Sequence, residues 1–124
     1  MNPTETLSVQ DLSKSFGRFQ VLKSLSFDLA AGELLVLRGK NGSGKTTLLN
    51  CISGLIPFEL GRVSVSGFDL GTQEQEVRKH LVFIPDVPRF YFELTALEHL
   101  HFIAAVNHAL EGFDERARSL MERF

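Results

Sequence analysis

The chain has 124 residues, the size of one ordinary domain, and 44% of them are hydrophobic, which excludes a disordered polypeptide. Its net charge is −2 and its 13 Lys and Arg are scattered, so we expect no nucleic-acid partner. The single cysteine, Cys51, excludes an internal disulfide, and the apolar runs are too short for a membrane span, so we expect no direct membrane insertion.

The first part of the chain predicts strands separated by glycine turns. Residues 6–10 and 21–29 have the pattern of half-buried strands, and Gly17 marks a turn between them. The continuous apolar run "ELLVL", residues 33–37, predicts a strand buried on both faces of a parallel sheet. These elements lead directly into a glycine-rich loop.

A short helix and one arm of a hairpin are predicted after that loop. "KTTLLNCIS" has helical character, with Leu48, Leu49 and Ile52 on one face. "GRVSVSG" alternates strictly between glycines and indicates one arm of an exposed hairpin. A mixed α/β chain is therefore expected.

The second half predicts a buried strand among helices. "QEQEVRK" is typical of a short polar helix, and "HLVFIP", residues 80–85, of another buried strand. Thr95 and Glu98 have the spacing of a capping box at a helix start. The last segment predicts an amphipathic helix with an apolar stripe at Ala117, Leu120, Met121 and Phe124.

The loop carries the chemistry. Gly39, Gly44, Lys45 and Thr46 match the phosphate-loop pattern G-x-x-x-x-G-K-[ST], with a strand before it and a helix after it. Glycines let backbone N–H groups face an anion, and the helix directs its positive dipole end at the same anion. Lys45 can bridge β- and γ-phosphates, and the Thr46 hydroxyl can ligate Mg²⁺.

The order of these features resembles the nucleotide-binding domain of the ABC (ATP-binding cassette) ATPases. The stretches that carry the resemblance are "LSKSFGRFQVLKSLSFDLAAGELLVLRGKNGSGKTTLLNCISGL", "GRVSVSGFDL" and "LVFIPDVPRFYFELTALEHLHF". It implies an α/β fold: a truncated P-loop NTPase core with an antiparallel β layer and the start of a helical subdomain. In one incomplete domain, 1–124, residues 1–86 would form the β layer and half of the core, and 87–124 would begin the helical subdomain.

By position, the resemblance implies roles for single residues in binding ATP. Phe16 matches the aromatic residue that stacks on the base, with Phe19 as a competing candidate, and a place in the core is the alternative for Phe16. Thr47 matches the residue that bonds the α-phosphate. The remaining loop positions are Lys40, Asn41, Gly42 and Ser43.

Asp86 departs from the family pattern. The family usually has a Gln after the "LVFI" strand, and this chain has "PDVP". Asp86 either ligates Mg²⁺ through its carboxylate or is a turn residue between Pro85 and Pro88. "LVFIPD" also superficially resembles a Walker B strand, but Pro85 interrupts it and Val87 stands where a catalytic Glu would follow, so we reject that interpretation.

Several family elements are absent from the 124 residues. There is no LSGGQ-like signature and no apolar strand ending in Asp-Glu, so Lys45 is the one catalytic residue that we identify. We expect this chain alone to bind Mg-ATP weakly without turnover. We interpret the four histidines as ordinary surface or packing residues and expect no metal site among them: His80, His99, His101 and His108.

The resemblance implies an ABC-type ATPase, the ATP-binding subunit of an exporter-type transporter. Its partners would be a membrane permease and a second nucleotide-binding domain, as a homo- or heterodimer, at the cytoplasmic face of the cell membrane. The aromatic cluster Phe90, Tyr91 and Phe92 would meet the permease or pack within the helical subdomain. The alternatives are a non-transport ABC protein, a fragment or truncated remnant without hydrolysis, and a kinase or GTPase, although the guanine motif N-K-x-D is absent.

Overall fold

The computed structural model describes residues 5–87, 90–107 and 109–123. His108 and Phe124, for which the sequence made predictions, lie outside these residues. The described elements, in chain order, are β1 (Glu5–Phe16), β2 (Phe19–Ala30), α1 (Lys45–Ile52), β3 (Leu60–Val65), β4 (Phe68–Asp69), α2 (Glu74–His80), α3 (Ala96–Val106) and α4 (Phe113–Met121).

An antiparallel sheet in the order β2-β1-β3-β4 forms the β layer. Strands β1 and β2 are a long hairpin that turns at Gly17 and places Phe16 opposite Phe19. Both predicted strands are therefore confirmed, and both are longer than their alternating cores because cross-strand pairing extends them to the turn.

The second hairpin joins β3 to β4. Its two turn residues, Ser66 and Gly67, have φ of 50° and 86°, the left-handed conformation that a tight two-residue hairpin requires. The predicted hairpin is confirmed, but it is not exposed throughout. Val63 and Val65 are buried because β3 lies inside the sheet, between β1 and β4.

One face of the sheet packs against α1. The buried apolar residues of this core are Val9, Leu12, Leu22, Leu48, Cys51, Ile52, Val63, Val65, Leu70 and Val77. In α1 the buried face consists of Leu48, Cys51 and Ile52, whose i, i+3, i+4 spacing keeps them on one side, whereas the predicted Leu49 is exposed. Helix α1 is thus positioned by the packing of its buried face against the sheet.

The two predicted buried strands, 33–37 and 80–85, are not observed. Neither segment forms a strand, and Leu34 and Val82 are 88% and 85% exposed. A strand needs a hydrogen-bonding neighbour, and within the described residues neither segment pairs with one. Only Leu37 and Leu81 pack partly against the core.

The described residues divide into two compact units, with the boundary between Phe83 and Ile84. In the second unit the predicted capping box is confirmed: Glu98 N donates to Thr95 Oγ1 at 3.3 Å, and Thr95 N donates to Glu98 Oε2 at 2.8 Å. In α4 the predicted stripe buries Ala117 and leaves Leu120 exposed. None of the described helices combines the length and apolar character that crossing a membrane requires.

Candidate functional site

The glycine-rich loop runs from Gly39 to the first turn of α1. Gly44 is the residue before the helix and has φ of 92°, a conformation that other residues rarely adopt. A Cβ at this position would lie 3.0 Å from Val21 Cγ1 and 3.2 Å from Leu22 Cδ2. The end of the loop therefore packs closely on β2, and this contact fixes where α1 begins.

The Lys45 side chain turns back into the loop. Its ammonium donates to the carbonyl oxygens of Gly39 and Lys40, each at 2.8 Å, and lies 3.4 Å from Ser43 Oγ. A Cβ on Gly39 would lie only 2.6 Å from Ser43 Oγ. The loop thus places a positive charge at its centre, and a side chain at Gly39 would require the Ser43 hydroxyl to move.

Helix α1 begins without a side-chain cap. Gly44 offers no side-chain acceptor, and the first turn contains no acidic residue. The first-turn amides and the positive dipole end therefore remain for an anion from outside the chain. Together with the Lys45 ammonium, this arrangement fits the phosphate groups of a nucleotide.

The polar side chains around the start of α1 suit the predicted ligands. Thr46 is exposed in the first turn, as a hydroxyl that ligates Mg²⁺ must be, and Thr47 beside it is half-buried. Lys40, Asn41 and Gly42 are exposed along the loop. The loop residues named from the sequence are therefore together on one short segment.

The two candidate base-stacking residues are neighbours at the end of the β1–β2 hairpin. Phe16 is 51% exposed and Phe19 is more exposed still, so the core alternative for Phe16 is not what the structure shows. The two rings also differ in their neighbours, because the Lys14 ammonium lies 5.1 Å from the centre of the Phe16 ring. Stacking on a base remains a prediction for both.

Asp86 and the aromatic cluster belong to the second unit. Asp86 is exposed in a bend, and its role as a magnesium ligand remains a prediction. Across the described residues, no group of three or more His, Cys, Asp and Glu could hold a metal ion. Phe90, Tyr91 and Phe92 are all exposed, although the Tyr91 ring also contacts His99 and Phe102 within the unit.

The sequence did not single out an ion pair near the end of β1. Lys14 is buried, and its ammonium lies 2.7 Å from Glu59 Oε1. The hydrogen bond from Lys14 and that from the Ser15 amide hold the pKa of Glu59 below its ordinary value. Burial raises the pKa of the Cys51 thiol in α1, whereas the charge of Lys14 lowers it and that of Glu59 raises it further.

The family comparison agrees with this geometry. A family model described as ABC transporter matches residues 22–124. An uncharacterized ABC transporter ATP-binding protein of Bacillus subtilis, YdbJ, is 38% identical over 94% of this chain and 37% of its own length. The B. subtilis SkfA peptide export ATP-binding protein SkfE is 38% identical over 84% of this chain and 43% of its own length.

Solved structures give the same result. An ATP-binding subunit of an ABC transporter superposes with a TM-score of 0.79 at 35% identity, over 90% of this chain and 46% of that one. The ATP-binding cassette MJ1267 gives 0.68 at 32% identity, over 85% and 42% of the two chains. The chain spans less than half the length of these relatives. Over the part of these structures that the chain spans, the predicted P-loop NTPase fold is thereby confirmed, and the chain belongs to the ABC transporter family, among its ATP-binding proteins.

Proposed function

We propose that this chain is the nucleotide-binding part of an ABC transporter's ATP-binding subunit, and that it holds Mg-ATP for coupling to a membrane permease. The supporting observation is the Lys45 ammonium, held at the centre of the glycine loop beside an uncapped helix. A cation, first-turn amides without a side-chain cap and the positive end of a helix dipole all belong to this one short segment. A polyphosphate is the ligand that matches all three.

Each loop residue has a distinct task in this proposal. Lys45 neutralises charge on the β- and γ-phosphates and is the residue that would stabilise charge shifted during phosphoryl transfer. Thr46 would hold Mg²⁺, and Thr47 would bond the α-phosphate. The family resemblance alone makes Asp86 a further candidate ligand of Mg²⁺. Bound Mg²⁺ supplies charge neutralisation on phosphate oxygens. Phosphate contacts come from the loop: Gly39, Lys40, Asn41, Gly42, Ser43 and Gly44.

Binding and hydrolysis are separate properties of this chain. The 124-residue sequence contains no apolar run ending in Asp-Glu and no LSGGQ-like segment, so the usual general base and the signature are not among these residues. We therefore propose that these residues alone bind nucleotide without turnover. ATPase activity belongs to a dimer of nucleotide-binding domains in the whole transporter.

The proposed direction of transport is export. The Pro-Asp pair at Pro85 and Asp86 resembles exporter-type members of the family. Among the relatives, SkfE is named for peptide export, although a ribose import ATP-binding protein, RbsA, is also 36% identical over 76% of this chain. The subunit would work at the cytoplasmic face of the membrane, bound to a permease by its exposed surface.

Equilibrium dialysis against radiolabelled ATP, with Mg²⁺ present, tests the nucleotide site. Lys45→Ala removes the central charge and its hydrogen bonds, and we expect the Kd to rise about 10- to 100-fold. Lys23→Ala is the matched control, because Lys23 is exposed on β2 and outside the loop. Equal affinities of the two variants would contradict the proposal.

Turnover is measured on the same proteins. The unmodified chain should release phosphate no faster than Lys45→Ala does. Release that depends on Lys45 would show that the missing elements are not needed for hydrolysis, and it would contradict the second part of the proposal.

A further inference from the structure

We propose that Lys14, held by Glu59, is a positioning residue that orients the Phe16 ring to receive the nucleotide base on the face opposite Lys14. The inference rests on the proposed function, because it takes Phe16 as the base-stacking residue. It adds two residues, Lys14 on β1 and Glu59 immediately before β3, to a site otherwise built from the loop and Phe16.

The Lys14 ammonium is buried near the end of β1. The Lys14 side chain is only 10% exposed, and a buried lysine needs a partner for its charge. Glu59 Oε1 supplies it at 2.7 Å, and the ammonium lies 5.1 Å from the Phe16 ring centre. That separation is within the range of a cation–π interaction. One face of the ring therefore has a fixed cation beside it.

Glu59 accepts hydrogen bonds from the backbone of β1 as well as from the Lys14 ammonium. Its other oxygen, Oε2, accepts a hydrogen bond from Ser15 N at 2.7 Å. Glu59 N in turn donates to Ser13 O at 3.2 Å. Ser15 lies between Lys14 and Phe16. The Glu59 carboxylate therefore fixes both the backbone next to Phe16 and the Lys14 cation beside its ring.

The Lys14–Glu59 pair is connected to the phosphate loop through Leu22 on β2. In the sheet register Lys14 is opposite Leu22, and Leu22 Cδ2 is one of the β2 atoms that a Cβ on Gly44 would approach closely, at 3.2 Å. The ion pair is therefore one strand away from the glycine where α1 begins. A displacement of Lys14 would therefore also displace the Phe16 ring and strand β2, on which the loop packs.

The consequence for binding is preorganisation. A half-exposed phenylalanine would otherwise sample several rotamers, and ordering it at the moment of binding costs affinity. A cation beside one face keeps that face from the base and leaves the other for it. The cation also draws π-electron density towards itself, which lowers the repulsion between the opposite face and a stacked base.

The test compares ATP with inorganic tripolyphosphate, which lacks the base, by isothermal titration calorimetry on the full 124-residue chain. Lys14→Met keeps the aliphatic stem and removes the cation. We expect it to raise the Kd for ATP about 3- to 10-fold and to change the Kd for tripolyphosphate by less than about twofold. Lys14→Arg keeps the charge and should restore ATP affinity, and Lys23→Met is the matched control.

A double-mutant cycle identifies the route. With Phe16→Leu already present, adding Lys14→Met should cause no further loss of ATP affinity, because Lys14 acts through the ring. Independent losses would overturn the inference. An equal loss for ATP and tripolyphosphate in Lys14→Met would overturn it too, because it would indicate a structural role only.

Two further results keep the outcomes separate. If Phe16→Leu leaves ATP affinity unchanged while Lys45→Ala abolishes tripolyphosphate binding, the positioning role fails and the phosphate site stands. If Lys14→Met does not fold, Glu59→Gln replaces it, because Glu59 is half-exposed and the change is isosteric. Glu59→Gln should weaken ATP selectively, and a loss shared with tripolyphosphate would overturn the inference.

Discussion

Strand β3 alternates polar and apolar residues whereas the segment 33–37 is almost continuously apolar, yet it is in β3 that apolar side chains are buried. Val63 in β3 is 1% exposed, because β3 pairs with β1 on one side and with β4 on the other. Leu34, in the other segment, is 88% exposed and pairs with no strand among the described residues. Apolar composition alone therefore does not determine burial, which requires a hydrogen-bonding neighbour and a packed face.

The difference also describes how the phosphate loop is supported. On its C-terminal side the loop is fixed, because α1 is buried through Leu48, Cys51 and Ile52 and because Gly44 packs on β2. On its N-terminal side it follows the exposed segment 33–37. Within the described residues, the position of Lys45 thus depends on the antiparallel sheet and α1.

Two leucines, one in the core and one in the segment 33–37, should differ most in their contribution to the free energy of unfolding. Leu12→Ala removes a fully buried side chain of β1 and should lower the free energy of unfolding by about 2–5 kcal/mol. Leu34→Ala changes an exposed side chain and should alter it by less than about 0.5 kcal/mol. Urea unfolding followed by circular dichroism measures both. Similar costs for the two variants would show that segment 33–37 packs as a core strand.

A pair of glycines tests how closely β3 packs against β1, with a smaller expected effect on stability. Gly61 and Gly67 both have positive φ, so alanine at either costs about 1–2 kcal/mol. At Gly61, however, a Cβ would lie 2.6 Å from Gln10 O and from Leu12 Cα, whereas at Gly67 it meets nothing within 4 Å. We expect Gly61→Ala to cost about 1–3 kcal/mol more than Gly67→Ala in urea unfolding. Equal costs would mean that β1 and β3 separate readily.

The smallest effect concerns acid stability of the same sheet. The pKa of Glu59 is lowered in the folded chain, chiefly by the Lys14 hydrogen bond, and that of Asp69 is lowered chiefly by its bond to Arg62. A lowered pKa stabilises the fold above the ordinary carboxyl value, and this stabilisation is lost as the pH falls through the folded-state pKa.

The urea concentration at the unfolding midpoint of the unmodified chain should therefore decrease as the pH is lowered from 7 to 3. The midpoint of Glu59→Gln should be lower at pH 7 and should decrease less, so the midpoints of the two proteins converge in acid. Parallel curves for the two proteins would show that the Lys14–Glu59 pair contributes nothing to stability.

Patterns confined to a few neighbouring residues were predicted correctly from the sequence. The glycine loop, the capping box of Thr95 and Glu98 and the β3–β4 hairpin each depend on such local residues. These features follow from backbone conformation and from hydrogen bonds between near neighbours, and the amino-acid types specify both.

Properties that depend on distant residues could not be predicted in the same way. Burial of 33–37 and 80–85 was predicted wrongly, because an apolar run does not reveal whether a neighbouring strand is present. The Lys14–Glu59 pair joins residues 45 positions apart, and only the β1–β3 pairing brings them together. In α1 the predicted face included Leu49, since composition could not show that Cys51 faces the sheet.

A titration of the ¹⁵N-labelled chain with Mg-ATP, followed by backbone amide chemical shifts, locates the nucleotide site directly. If the Lys45 loop is that site, the largest shift changes will occur at residues 39–47, smaller ones will occur at Phe16, and the amide shifts of α4 will not change. Shift changes concentrated in α4, with residues 39–47 unaffected, would show that the Lys45 loop is not the nucleotide site.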